Sequence, residues 1–236
     1  MHYKSKFVRF LLESGALTFG DFDLKNGRRS PYLIDTCRLG SGVSLSRMGG
    51  YYARSIYEKM EMDMLPWETT VLYGLPCKGV ALAAASAVAM AAAFEIDLGC
   101  SFNRKGAGCE SNDFFVGKKP GAGDKVLIID DVMTSGTALR DAIELIREYA
   151  PEAEIVGAII AVDRKERGRD KRLSAVAEAE YELGIPIFTL TDIDEILAIL
   201  KSGMLEHDCE SEYLTALPTI EQIAAVEDYL TENRAS

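Results

Sequence analysis

The chain has no C-x-x-C pair, little positive charge and no long apolar run, and each absence excludes a class of protein. Its five cysteines (Cys37, Cys77, Cys100, Cys109 and Cys209) are odd in number and widely spaced. That pattern argues against a disulfide framework or a zinc site and points to a reducing cytoplasm. Lys and Arg number 26 against 37 Asp and Glu, a net charge of −11. Nucleic-acid backbones are bound by basic surface, so no nucleic-acid partner is expected. A small anionic substrate stays open, because a local cluster of Lys and Arg can sit in an acidic protein. The Ala-rich stretch 80–94 is too short to span a bilayer and reads as a buried helix. The amino end carries Arg9 inside FVRFLL and reads as an amphipathic helix, not a signal peptide, so no membrane association is expected. Two nucleotide motifs are missing as well: no Gly-Lys-Ser/Thr closes a phosphate turn, and no G-x-G-x-x-G follows a strand.

What is present centres on residues 126–138, VLIIDDVMTSGTA. Residues 126–129 are short, β-branched and apolar on both faces, as expected of a strand buried in a parallel sheet. Asp130 and Asp131 then stand at its carboxyl end, where open α/β sheets bind ligands. Thr134, Ser135, Gly136 and Thr137 lead into a helix whose free N–H groups and positive dipole end suit a phosphate monoester. The paired acids suit a diol or a hydrated divalent metal. A sugar bearing both phosphate and hydroxyls satisfies both halves.

Around this block the chain reads as an α/β alternation. With 236 residues, 48% of them hydrophobic, it can bury one full core. Residues 4–14 have helical spacing, and FDL and YLID are strand-like around an Asn-Gly turn that supports a hairpin. Ser44 and Ser46 are candidate caps for a helix running to about residue 60. Strands follow over 69–73, 98–102, 126–129, 154–162 and 185–190. Helices are expected over 79–94, 137–149, 172–181, from Thr191 or Asp192 to 200, and from about 219. Such alternation predicts a parallel sheet with right-handed crossovers. Residues 103–124 are polar, Gly-rich and far longer than an ordinary α/β connection, which favours a mobile lid.

The central block resembles the phosphoribosyl pyrophosphate (PRPP) signature of type I phosphoribosyltransferases. Four further segments are similar to orotate phosphoribosyltransferases: FGDFDLKNGRRSPY (19–32), YGLPCKG (73–79), FNRK (102–105) and DRKERG (163–168). The resemblance implies a type I phosphoribosyltransferase fold: a central, mostly parallel sheet flanked by helices, with a small N-terminal hood. The expected division is a domain over 1–204, with the hood over about 1–42, and a helical tail over 205–236.

It also implies roles. PRPP would be bound by Lys25, Cys77, Lys78, Arg104, Lys105, Asp130 and Asp131 and by the turn Val132, Met133, Thr134, Ser135, Gly136, Thr137 and Ala138. Arg104, Lys105, Asp130 and Asp131 would be the catalytic set, and Leu33, Ile34, Thr134 and Arg164 would face orotate. A Mg2+ ion would arrive with PRPP, without direct protein ligands, reaching Asp130 and Asp131 through water. Lys25 and the loop pair would act across a homodimer interface.

The chain departs from the family at two places. Relatives have a further Lys and a His soon after the Arg-Lys pair, where this chain reads Gly106-Ala107-Gly108-Cys109-Glu110. The only histidines are His2 and His207, so Lys118 and Lys119 are the loop's remaining cations. Relatives also have two Phe where this chain has Leu33-Ile34, which keeps apolar walls but removes aromatic stacking. Three readings follow: an orotate enzyme, a phosphoribosyltransferase for another base, or a PRPP-binding regulator with weakened catalysis.

Overall fold

A computed structural model describes residues 3–24, 27–104, 114–133, 136–169, 172–203, 205 and 217–235. Helix α1 (Tyr3–Glu13) is followed by the strands β1 (Leu17–Asp23) and β2 (Arg29–Ile34). These pair antiparallel with a bulge between Phe19 and Phe22, which gives the expected hairpin. Helix α1 buries Phe7, Val8, Phe10, Leu11 and Leu12, a wide apolar stripe at helical spacing.

Helix α2 (Gly42–Glu61) starts earlier than its sequence suggests. Ser41 is the N-cap, with Ser44 at N3 completing a reciprocal capping box. Ser44 is therefore inside the helix, and Ser46 lies a turn beyond the cap.

Six strands form the main sheet, in the order β5 (Phe115–Gly117), β4 (Gly99–Asn103), β3 (Thr69–Gly74), β6 (Lys125–Val132), β7 (Glu154–Asp163) and β8 (Ile187–Asp192). The pairs β4–β3, β3–β6, β6–β7 and β7–β8 are parallel, and β5 alone runs antiparallel, at the edge. The expected long loop is thus partly strand: its far limb returns along β4, with Asn103 opposite Phe115.

The pleat divides the core in two. Leu127 and Ile129 of β6 face the cluster built by α1, α2 and the hood. Val126 and Ile128 face the cluster under α4 (Thr137–Tyr149) and α5 (Ala175–Leu183). Helix α5 begins at Ser174, whose side chain caps it, later than the expected 172. Strand β8 is likewise displaced, running to Asp192, which then caps α6 (Ile193–Lys201).

Helix α3 (Lys78–Phe94) differs most from expectation. One face buries Gly79, Leu82, Ala83, Ser86 and Met90, but the other, including Ala81, Ala84 and Val88, is exposed. It lies on the sheet beside α2, so only half its apolar surface is covered. Helix α7 (Ile220–Asn233), opened by Thr219 in a capping box, packs Val226, Tyr229 and Leu230 against the hood side of the core. No helix among the described residues is long and apolar enough to cross a membrane.

Candidate active site

Strand order turns around between β3 and β6: β4 and β5 lie on one side, β7 and β8 on the other. At such a switch point the two neighbouring connections leave in opposite directions and open a crevice at the strands' carboxyl ends. From β3, residues 75–77 lead into α3, whose first residue is Lys78. From β6 the chain passes Met133 and reaches α4 after Gly136.

Strand β6 continues through both acids, because β7 goes on pairing with Asp130 and Val132. Asp130 and Asp131 are thus inside the strand and not beyond it, and their side chains leave on opposite faces. Asp130 lines a cavity of about 360 Å3 beneath the α4 turn, with Val132, Gly136, Thr137 and Ala138. Asp131, 4% exposed, turns to the hood side. Its Oδ2 accepts Lys78 Nζ at 2.8 Å and Thr36 Oγ1 at 2.8 Å. Lys78 also donates to Asp35 Oδ1 at 3.3 Å, so one ammonium bridges two carboxylates. Asp35, Thr36 and Tyr52, whose hydroxyl donates to the Asp130 carbonyl at 2.6 Å, form this corner without any sequence signal beyond nearness to the hairpin.

The electrostatics follow from that packing. Burial pushes the Asp130 carboxyl up to about 7, and the neighbouring Asp131 charge adds to the effect. Burial works against the Lys78 ammonium, yet the hydrogen bond and charge of Asp131 outweigh it and raise its pKa. Asp35 is lowered: its partial burial opposes the charge, but the Cys37 amide and Lys78 prevail. The site therefore has one firmly charged cation, Lys78, and near it the Asp130 carboxyl, which holds a proton near neutrality.

Gly136 is the N-cap of α4, with φ +70 and no side-chain cap hydrogen bond of its own. Gly79 serves close packing: a Cβ there would lie 2.4 Å from the Ile129 carbonyl, where α3 begins against β6. Cys77 is exposed and caps α3 without a side-chain bond. Arg104 is exposed at the foot of the long loop, its amide bonded to the Phe114 carbonyl. Met133 is buried in the cluster under α4 and Val132 packs partly against the other cluster, and both line the same cavity as Asp130.

The expected base wall divides. Leu33 is half-buried, whereas the Ile34 side chain belongs to the core, so only its backbone can face a ligand. Arg164 is 7% exposed and lies over the Tyr32 ring at 4.1 Å, next to Glu166. Lys118 does not reach the crevice. It pairs with Asp124 at 3.2 Å, and Asp124 precedes β6 at the opposite end of the sheet. Lys25, Lys105, Thr134, Ser135 and residues 106–110 lie outside the described residues.

The phosphoribosyl transferase domain family matches residues 51–181. The orotate phosphoribosyltransferase of Bifidobacterium animalis subsp. lactis is 37% identical over 234 residues, covering 97% of this chain and 96% of the relative. That of Pseudomonas fluorescens is 40% identical over 198 residues, covering 84% and 88%. The chain belongs to the orotate phosphoribosyltransferase family. Among solved structures, the orotate phosphoribosyltransferase of Francisella tularensis superimposes with a TM-score of 0.77 at 28% identity, covering 97% of this chain and 99% of the other. The enzyme of that name from Aeropyrum pernix gives 0.57 at 26% identity, covering 84% and 99%. The type I phosphoribosyltransferase architecture, with its hood and mostly parallel sheet, is therefore this chain's own. The corner of Lys78 and Asp131 lies at the switch point of this architecture.

Proposed function

We propose that the chain transfers the phosphoribosyl group of PRPP to orotate, giving orotidine 5′-monophosphate and pyrophosphate in de novo pyrimidine (UMP) synthesis. The observation that carries this reading is the convergence of Lys78 and Thr36 on one buried Asp131 oxygen, beside the start of α4 at Gly136. Family membership supplies the base, since the matched relatives are named for orotate.

In this reading the amides and hydroxyls of residues 134–138 hold the 5′-phosphate, and Asp130 and Asp131 hold the hydroxyl edge of the ribose. Displacement of pyrophosphate from the anomeric carbon passes through an oxocarbenium-like transition state. Lys78, Arg104 and Lys105, with Lys25 from the partner, neutralise the departing diphosphate, and the acid pair holds negative charge near the cationic sugar. Arg164 faces the base's carboxylate with a planar fork of donors. Leu33 and the Ile34 backbone border the ring, with Thr134 opposite.

Magnesium fits the site as an ion delivered by the substrate. Among the described residues no group of three or more His, Cys, Asp or Glu side chains could hold a metal ion directly. Asp130, kept partly protonated beside a second carboxylate, favours a nearby cation, which water can bridge. When bound, the ion would neutralise charge on the diphosphate.

A homodimer is part of the proposal. The apolar outer face of α3, with Ala81, Ala84 and Val88 exposed and no charge between Lys78 and Glu95, supports a self-association surface. The absence of any C-x-x-C agrees with operation in the cytoplasm.

The test is to incubate the protein with PRPP, magnesium and a panel of bases and to follow pyrophosphate release. Release only with orotate supports the proposal. Release only with another base, or PRPP binding without release, would replace it by the second or third reading of the sequence.

A further inference from the structure

The loop after β7, residues 164–168, is held from two sides by groups that have no part in the reaction described so far. Glu166 is 7% exposed, and its Oε1 accepts Arg164 Nε at 2.8 Å and lies 2.6 Å from Arg164 Nη2. Its Oε2 accepts Arg28 Nη1 from the hood at 3.1 Å, and the Tyr32 hydroxyl lies 3.3 Å from Oε1. Arg164 Nη2 also donates to Ser30 Oγ at 3.0 Å. Among the described residues Arg164 Nη1 makes no hydrogen bond.

Helix α7 closes the other side. The Arg167 amide donates to the Asn233 carbonyl at 2.8 Å, and Arg167 Nη1 to the Glu232 carbonyl at 3.0 Å. Glu166 and Arg234 form an antiparallel bridge, and the Tyr229 ring meets Tyr32 edge-on at 6.2 Å. The loop carrying Arg164 is therefore clamped between the hood and the end of the chain.

Charge decides what the clamp is for. A buried charge is costly unless a partner neutralises it. Glu166 takes Nε and Nη2, which leaves one face of the guanidinium, at Nη1, uncommitted. A carboxylate on the base would accept charge-assisted hydrogen bonds from the vacant Nη1, which a base without one does not offer.

We propose that Glu166 is a positioning residue: it fixes Arg164 by Nε and Nη2 so that Nη1 meets the carboxylate of the base, while α7 holds the loop that bears both. This rests on the orotate reading above. The same geometry gives the C-terminal tail a role in base selection, through Asn233, Arg234 and Tyr229, that its distance in sequence conceals.

The experiment is Glu166→Gln, assayed with orotate and with uracil, which lacks the carboxylate, alongside the wild-type protein. The amide keeps one acceptor but presents N–H groups where Arg28 needs an oxygen, so the clamp opens. The KM for orotate should rise about tenfold, with kcat and the KM for PRPP within about twofold. The preference for orotate over uracil should fall by the same factor as the rise in KM. Unchanged orotate KM and preference would overturn the inference, as would equal losses for both substrates together with a lower melting temperature, the mark of a structural role. If Glu166→Gln does not fold, Arg28→Met frees only one oxygen and should raise the orotate KM about threefold, and no change there overturns the inference too. Failure of wild-type protein to use orotate at all would instead strike the functional reading, and the two failures are separable in one assay.

Discussion

Thr36 Oγ1 donates to Asp131 Oδ2 across 2.8 Å, and this bond ties the segment after the hood hairpin to the buried end of β6. Thr36→Val keeps the shape and removes the hydroxyl. Asp131 keeps Lys78 but loses one of two donors, and a hydrogen bond to a charged group is worth about 2 kcal/mol. The variant should lose stability of that order in denaturant titration and show a raised KM for PRPP. Wild-type values for both would mean that the hood is not anchored there.

Lys78 contributes the only side-chain cation seen bridging the hood and β6 at this corner among the described residues. Lys78→Ala should lower the rate of pyrophosphate release about a hundredfold, the scale for losing one preorganised donor to a charge that develops in the reaction. A smaller loss than tenfold would remove Lys78 from the transition-state contacts.

Asp130 yields a pH dependence of definite sign. Its carboxyl, raised by burial and then by Asp131 from 3.8 to about 7, keeps a proton in the folded protein that the unfolded chain has already released. Between about pH 4 and pH 7 the folded state binds more protons, so stability falls as pH rises through that window. Asp130→Asn should flatten this slope. Binding of PRPP with its cation should expel the proton, so calorimetry near pH 6.5 in buffers of different ionisation heat should register proton release. Heat independent of the buffer would contradict the assignment.

Gly79→Ala places a methyl 2.4 Å from the Ile129 carbonyl, a backbone atom that cannot step aside. Overpacking of this kind costs about 2 kcal/mol, and the start of α3, with Lys78 on it, would shift. Stability and turnover should fall together. A variant with wild-type melting and wild-type rate would show that α3 has slack.

Lys118→Ala tests the opposite expectation. Lys118 is paired with Asp124 at the far end of the sheet, away from the crevice, so turnover should stay within about twofold of wild type. A large loss of activity would place it back in the loop's chemistry.

Much of this was legible in one dimension. Residues 126–138 announce strand, acids, turn and helix because each relies on local chemistry: β-branched apolar residues, a positive-φ glycine and a helix start. The alternation of helix and strand, and the position of Lys78 after a strand, are of the same local kind. Relations that depend on chain segments far apart had no such trace. Strand β5 was hidden because three residues of edge strand make no periodic signal. The exposure of α3 on one side follows from where α2 and the sheet lie, not from its even Ala content. Arg164 reads as one more strand-end arginine until Glu166, Arg28 and Ser30 are found around it.

The amino-acid order alone determined most of the elements and the family, since these rest on neighbours within a few residues and on motif spacing. Only the tertiary structure decided that Asp130 and Asp131 part to opposite faces, that Lys78 and Thr36 converge on one oxygen, and that α7 holds the loop after β7. Those outcomes depend on strand order and on which charges are buried together, and both are properties of the packed chain.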